Sequence, residues 1–114
     1  MTAERWAYTI EQGSTFVDEF VVPASAIPNI VNLVGYSAQG ELTTKRKGDT
    51  GNIQVATFVA TVVEPMGNKI KIALDDSVTT LITDKKGHFN VEVTDGSNTY
   101  RVREGPWNLS QDTF

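Results

Sequence analysis

Three acidic residues, Asp75, Asp76 and Asp84, come shortly before the only histidine, His88. Carboxylates near an imidazole are the material of an acid–base pair or a metal site. Their spacing argues against both. Adjacent carboxylates on one backbone diverge, and Asp75 or Asp76 serves more simply as a helix cap. One histidine cannot build a multi-histidine zinc site. Cysteine is absent, which removes thiolate ligands, disulfides and cysteine nucleophiles. An enzyme would need Asp75, Asp84 and His88 to converge. Lys47-Gly48-Asp49-Thr50-Gly51 does not match a phosphate loop, whose glycines precede a Lys-Ser/Thr pair on a helix. Asp49, Asn52 and Asp95 lack the EF-hand spacing and its closing glutamate, so a loop calcium is the weaker reading. Ser14 and Ser77 stand outside any nucleophile elbow. The expectation is no enzyme, no metal and no cofactor.

Apolar residues in unusual places suggest contact instead. Val55, Val59 and Val63 share a parity opposite to Phe58, Ala60 and Val62, so one strand has valines on its outer side. If that face is open, a partner should cover it; otherwise the segment 27–34 packs over it. Trp107 and Phe114 follow Gly105-Pro106 among polar residues. Either they fold back onto the end of the domain or they anchor a neighbour, as aromatic side chains commonly do. The candidate interaction residues are therefore Val55, Val59, Val63, Trp107 and Phe114.

The elements that position these residues read as strands. Val, Ile and Thr supply 34 of 114 residues, a β-branched load that favours strands. A first strand is expected over 5–10 and a second over 15–22, with Phe16, Phe20 and Val22 inward. Asp18 breaks that pattern, which marks either a bulge or a wrong choice of inner face. Pro23 and Pro28 bracket an apolar connection up to Gly35 that plugs one end of the core. A long strand is expected over 36–46, with Gly40 leaving room for a large neighbour or a bend. Strands over 53–63 and 69–74 follow. Asp75-Asp76-Ser77 starts a short helix over 76–82. Strands over 87–94 and 99–104 meet at Asp95-Gly96 in a hairpin. Gly105-Pro106 interrupts the return strand before 107–109. The sum is one domain over 1–114. It is an all-β, immunoglobulin-like sandwich of two antiparallel sheets, with about seven strands and one short helical connection. A small barrel is the alternative closure.

The formal net charge is −4. The best basic run, Lys45-Arg46-Lys47, reads as a strand end, so general nucleic-acid binding is not expected. No apolar run approaches the ~20 residues that cross a bilayer, and residues 1–12 show no signal-peptide apolar region. The chain is expected to be made in soluble form in a cell, with no membrane partner.

Several segments, taken in order, resemble small bacteriophage β-sandwich proteins similar to the N-terminal domain of the tail-baseplate upper protein. They are Ile10-Glu11-Gln12-Gly13-Ser14-Thr15-Phe16; Val31-Asn32-Leu33-Val34-Gly35-Tyr36-Ser37-Ala38; Ile70 to Leu81; Phe89 to Gly96; and Arg101-Val102-Arg103-Glu104-Gly105-Pro106-Trp107. The resemblance spans nearly the whole chain. Asn90 and Glu92 depart from it, standing where an aromatic residue and an aspartate are common. The 23–35 connection is longer and more apolar than usual. The resemblance implies a non-catalytic tail or baseplate assembly module, made in the host cytoplasm and carried into the virion. It would act through contacts with copies of itself or with other phage structural proteins. The alternative is a carbohydrate- or receptor-binding sandwich, which needs an exposed aromatic such as Trp6 or Trp107 beside the polar loop 47–52.

Overall fold

The computed structural model describes residues 3–28, 30–46 and 48–111. The chain is an all-β sandwich of two sheets, with nine strands among the described residues. The larger sheet holds β1 (Glu4–Arg5), β2 (Tyr8–Glu11), β4 (Ser37–Thr43), β5 (Gln54–Thr57), β8 (Lys86–Thr94) and β9 (Thr99–Ser110), in the order β1-β9-β8-β4-β5 with β2 also on β9. The smaller sheet is β3 (Phe16–Val21), β7 (Lys69–Leu74) and β6 (Val59–Glu64), with β7 in the middle. All pairings are antiparallel except those of β1 and β2, which run parallel to β9.

The seven expected strands become nine because two of them are broken. The first divides into β1 and β2, whose pairing with β9 keeps one register across the gap. That gap lies opposite Gly105-Pro106. The interruption expected in the return strand therefore falls on its neighbour, and β9 runs unbroken from Thr99 to Ser110. Pro106 has no amide hydrogen to give a ladder. Gly105 lets the β1–β2 backbone close in: a Cβ there would lie 1.7 Å from the Trp6 carbonyl oxygen. The second break is at Phe58, where the expected 53–63 strand leaves the larger sheet and enters the smaller one. The Phe58 amide donates to the Gly40 carbonyl at 2.9 Å. A Cβ on Gly40 would come within 3.0 Å of the Phe58 ring, so the glycine makes room for this crossing.

The core lies between the sheets. Ile70, Ile72 and Leu74 of β7 face Phe89, Val91 and Val93 of β8, with Ile10, Leu42 and Val102 also sealed from solvent. A run of aromatic rings links the sheets: Phe89 meets Tyr8 within the larger sheet at 4.5 Å, Tyr8 meets Phe16 of the smaller sheet at 5.0 Å, and Phe16 meets Phe58 at 6.0 Å. A 3-10 turn at Ala24–Ala26 starts the apolar connection. Ala26, Ile27 and Leu33 plug the core end, while Val31 and Val34 point to solvent. Leu33 is held by its amide to the Pro65 carbonyl at 2.8 Å.

The helix α1 (Asp76–Thr79) is shorter than expected, and looser turns continue to Ile82. Its buried side is Thr79 and Ile82, whereas Val78 and Leu81 lie outside. The Thr79 hydroxyl donates to the Ser14 carbonyl at 2.8 Å, which turns that side inward. The β8–β9 hairpin forms as its turn residues require. Asp95 accepts the amides of Ser97 and Asn98 at 2.8 and 2.7 Å, and Gly96 takes φ 98°. Those amides, Asn98 first, hold the Asp95 carboxyl below its ordinary range.

Candidate functional site

The proposed contact residues separate into unlike environments. Trp107 is 1% exposed and belongs to the core, so it cannot anchor a neighbour. Its indole nitrogen donates to the Thr43 carbonyl at 3.0 Å. The bond is possible because Gly87 stands opposite; a Cβ there would lie 2.0 Å from that same oxygen. Polar neighbours in sequence gave the wrong impression, because β9 alternates and sends Trp107 and Leu109 inward together. Phe114 lies outside the described residues.

The three valines do not share a face. Val55 is on β5 in the larger sheet, half-buried against the core, and lines a shallow groove with Val78, Leu81 and Ile82. Val59 and Val63 are on β6, beyond the crossing at Phe58. Val59 belongs to a cross-strand row, Val17–Ala73–Val59, on the outer side of the smaller sheet. Val17 is 50% exposed and Val59 68%. The next row is Glu19–Lys71–Thr61, followed by Val21–Lys69–Glu64 with Val63 in a register shift beside it. Lys69 pairs with Glu19 at 3.7 Å and with Glu64 at 4.0 Å. The outer side is therefore an apolar row at one end and a salt-bridged rim at the other. Val59 stays 68% exposed, and Ile27 and Leu33, the buried members described in the 27–34 segment, lie at the core end, Leu33 beside Pro65.

The outer side of the larger sheet is polar. Across β4, β8 and β9 run the rows Thr43–His88–Pro106 and Glu41–Asn90–Glu104, with Gln39–Glu92–Arg101 beyond a register shift in β9. Asn90 and Glu92 are 2% and 8% exposed although they point outward. Both sit on a central strand, shielded by side chains of its two neighbours. Gln39 donates to Glu92 at 3.1 Å, and Arg101 lies 3.9 Å from Glu92 and 3.4 Å from Glu104. His88 Nε2 is 3.8 Å from Glu104. Burial nevertheless outweighs that carboxylate and lowers the His88 pKa. The Asn90 side-chain nitrogen is buried without a partner among the described residues. A groove of about 290 Å3 opens here, lined by Gln39, Glu41, Gln54, Thr57, Asn90 and Glu92.

Arg103 is a residue that strand reading passed over. It points into the sandwich and is 4% exposed. Its guanidinium lies 4.6 Å from the Trp6 ring and 3.7 Å from the Phe20 ring. It donates to Asp18 at 2.9 Å, to the Tyr8 hydroxyl at 2.7 Å and to Glu4 at 2.7 Å. The Tyr8 hydroxyl in turn donates to Asp18 at 2.6 Å. Burial, then that bond, raises the Tyr8 pKa. The cluster ties β1, β2 and β9 of one sheet to β3 of the other. It also explains the break at Asp18: there is no bulge in the β3–β7 register, and the inner face was chosen correctly. Two pattern breaks, Asp18 and Arg103, were the available signal, and they answer one another.

Asp75 takes the N-cap position of α1, but its side chain makes no capping hydrogen bond, so the expected cap is one of position only. Asp75 accepts the Ser77 hydroxyl at 2.7 Å, which lowers its pKa. Asp84 is exposed in the turn before β8. Among the described residues no three His, Asp or Glu side chains are grouped to hold a metal ion. The 48–53 loop uses its polar groups on itself: Lys45 Nζ donates to the Thr50 carbonyl at 3.1 Å, and the Lys45 amide to Asn52 at 2.9 Å. Lys47 lies outside the described residues. No helix among the described residues is long and apolar enough to cross a membrane.

Together these features define a two-sheet β-sandwich with a valine-bearing outer side on the smaller sheet and a polar one on the larger. No family description and no curated protein sequence matches the chain.

Proposed function

We propose that this protein is a non-catalytic assembly module of a bacteriophage particle, in the tail or baseplate, that acts by protein–protein contact. The phage assignment rests on the sequence resemblance. The contact role rests on one observation: the Val17–Ala73–Val59 row crosses the smaller sheet with a valine exposed on each of its two edge strands. Apolar rows rimmed by charge are the usual content of a contact surface. The partner is a second copy of the chain or another particle protein. Light scattering across about 1–100 µM tests the first option. A fixed multiple of 12.5 kDa that falls to the monomer in Val59→Asp supports self-assembly through this face. A monomer at every concentration removes self-assembly and leaves docking onto a different protein.

A further inference from the structure

We infer that the groove on the outer side of the larger sheet binds a neutral, polyhydroxylated ligand such as a sugar unit of a glycan. This site is separate from the valine row and does not depend on it. Its floor is Asn90, 2% exposed, whose unpartnered side-chain nitrogen belongs to a residue lining the groove. A buried donor without an acceptor is uncommon and costly, and calls for an explanation. Glu41 is directly paired with Asn90 across β4 and β8, which brings their side chains about 5 Å apart at Cβ. No hydrogen bond or ion pair engages the Glu41 carboxylate among the described residues. Gln54 and Thr57, bonded to each other, form the far wall, and Gln39 and Glu92 the near one.

The chemistry of these groups selects the ligand. The Glu41 carboxylate stands beside the Asn90 amide, whose nitrogen is sealed from solvent in the free protein; a hydroxyl group that donates to Glu41 answers both when the amide turns toward it. An anion would meet the Glu41 and Glu92 carboxylates. A cation would satisfy Glu41 while facing the Asn90 donor. No aromatic side chain lines the groove, so recognition reads hydroxyl positions rather than a ring face. A volume of about 290 Å3 is at the small end of ligand pockets and suits one sugar ring. Asn90 and Glu92 are also the positions that depart from the phage sandwich pattern, so the departure coincides with residues that line the groove.

The test is a titration of the isotopically labelled full chain, followed by amide NMR shifts. The probes are glucose, galactose, mannose and N-acetylglucosamine, with lysine amide and inorganic phosphate as charged controls. The expected result is saturable shifts at residues 39–41, 54–57 and 90–92 with at least one sugar. Glu41→Ala should weaken that binding about tenfold through loss of a charge-assisted hydrogen bond. Asn90→Leu should weaken it at least as much; if that variant fails to fold, Glu41→Ala decides alone. Absence of saturable shifts with all four sugars overturns the inference. So do shifts that map to β3 and β6, affinity unchanged in Glu41→Ala, or saturation by lysine amide or phosphate in place of the sugars.

Discussion

Val17, Ala73 and Val59 line up across the smaller sheet, and both valines remain at least half exposed. Glu41, Asn90 and Glu104 line up in the same manner across the larger sheet, and the middle residue is 2% exposed. Both rows face outward, but the exposed valines sit on edge strands and Asn90 on a central one, with small Ala73 as its counterpart in the narrower sheet. In the smaller sheet both flanking strands are edges, so short side chains leave the outer row open. In the larger sheet β8 has a full strand on each side, and long polar side chains close over it. The lesson is that outward parity does not mean solvent. Valines stay wet where the sheet is narrow, while an asparagine and a glutamate are buried where it is wide. The buried polar row must then find partners, and it does so only in part.

Substitutions can break or sharpen this contrast. The largest effect belongs to neither outer side. Trp107→Ala should cost about 4 kcal/mol in urea unfolding, the range for a buried aromatic side chain, without changing self-association at concentrations where the variant is folded. A change in association with little loss of stability would return Trp107 to the surface. Arg103→Ala should follow at about 3 kcal/mol, because it leaves the Asp18 carboxylate with the Tyr8 hydroxyl alone and removes the charged tie between the sheets. That figure is at the lower end of the range for buried pairs because Asp18 and Glu4 keep about a third of their side-chain surface in water.

Asn90→Leu and Val59→Asp compare the outer sides directly. Asn90→Leu should raise stability by about 1 kcal/mol, since it removes an unpartnered buried amide. Val59→Asp should stay within about 0.5 kcal/mol of the parent, as surface changes do, and act only on association. A loss of stability in Asn90→Leu would mean that the amide is held within the fold after all.

The smallest effect is a pH dependence on the polar side. His88 has its pKa lowered by burial. The unfolded chain therefore takes up this proton more readily, so stability is fully present above the ordinary value of 6.5 and declines as pH falls below it. His88→Gln should flatten that part of the stability curve below about pH 6.5. An unchanged slope would assign the acid loss to other groups.

Much of the local structure was legible in the sequence. The alternation of Lys69 to Leu74 defined β7, and Asp95-Gly96 defined the turn of the β8–β9 hairpin. The all-β class followed from the same patterns. These features were readable because period-two alternation and turn chemistry are properties of neighbouring residues. Sheet membership was decided elsewhere. Nothing local to residues 53–63 says that the chain changes sheets at Phe58; that depends on Gly40, far along the chain, leaving space for the ring. Nothing near Trp107 says that its indole reaches Thr43, and nothing near Asp18 names Arg103 as its partner. The candidate site divides in the same way. The valines were visible as an outward parity, but whether they share a face is set by the crossing between sheets. Asn90 and Glu92 line a groove only because β8 pairs with β4, which brings Gln39 and Glu41 beside them and Gln54 and Thr57 of β5 beyond. A sequence specifies which way each side chain alternates, whereas the strands packed beside it, drawn from distant segments, determine whether that direction ends in water.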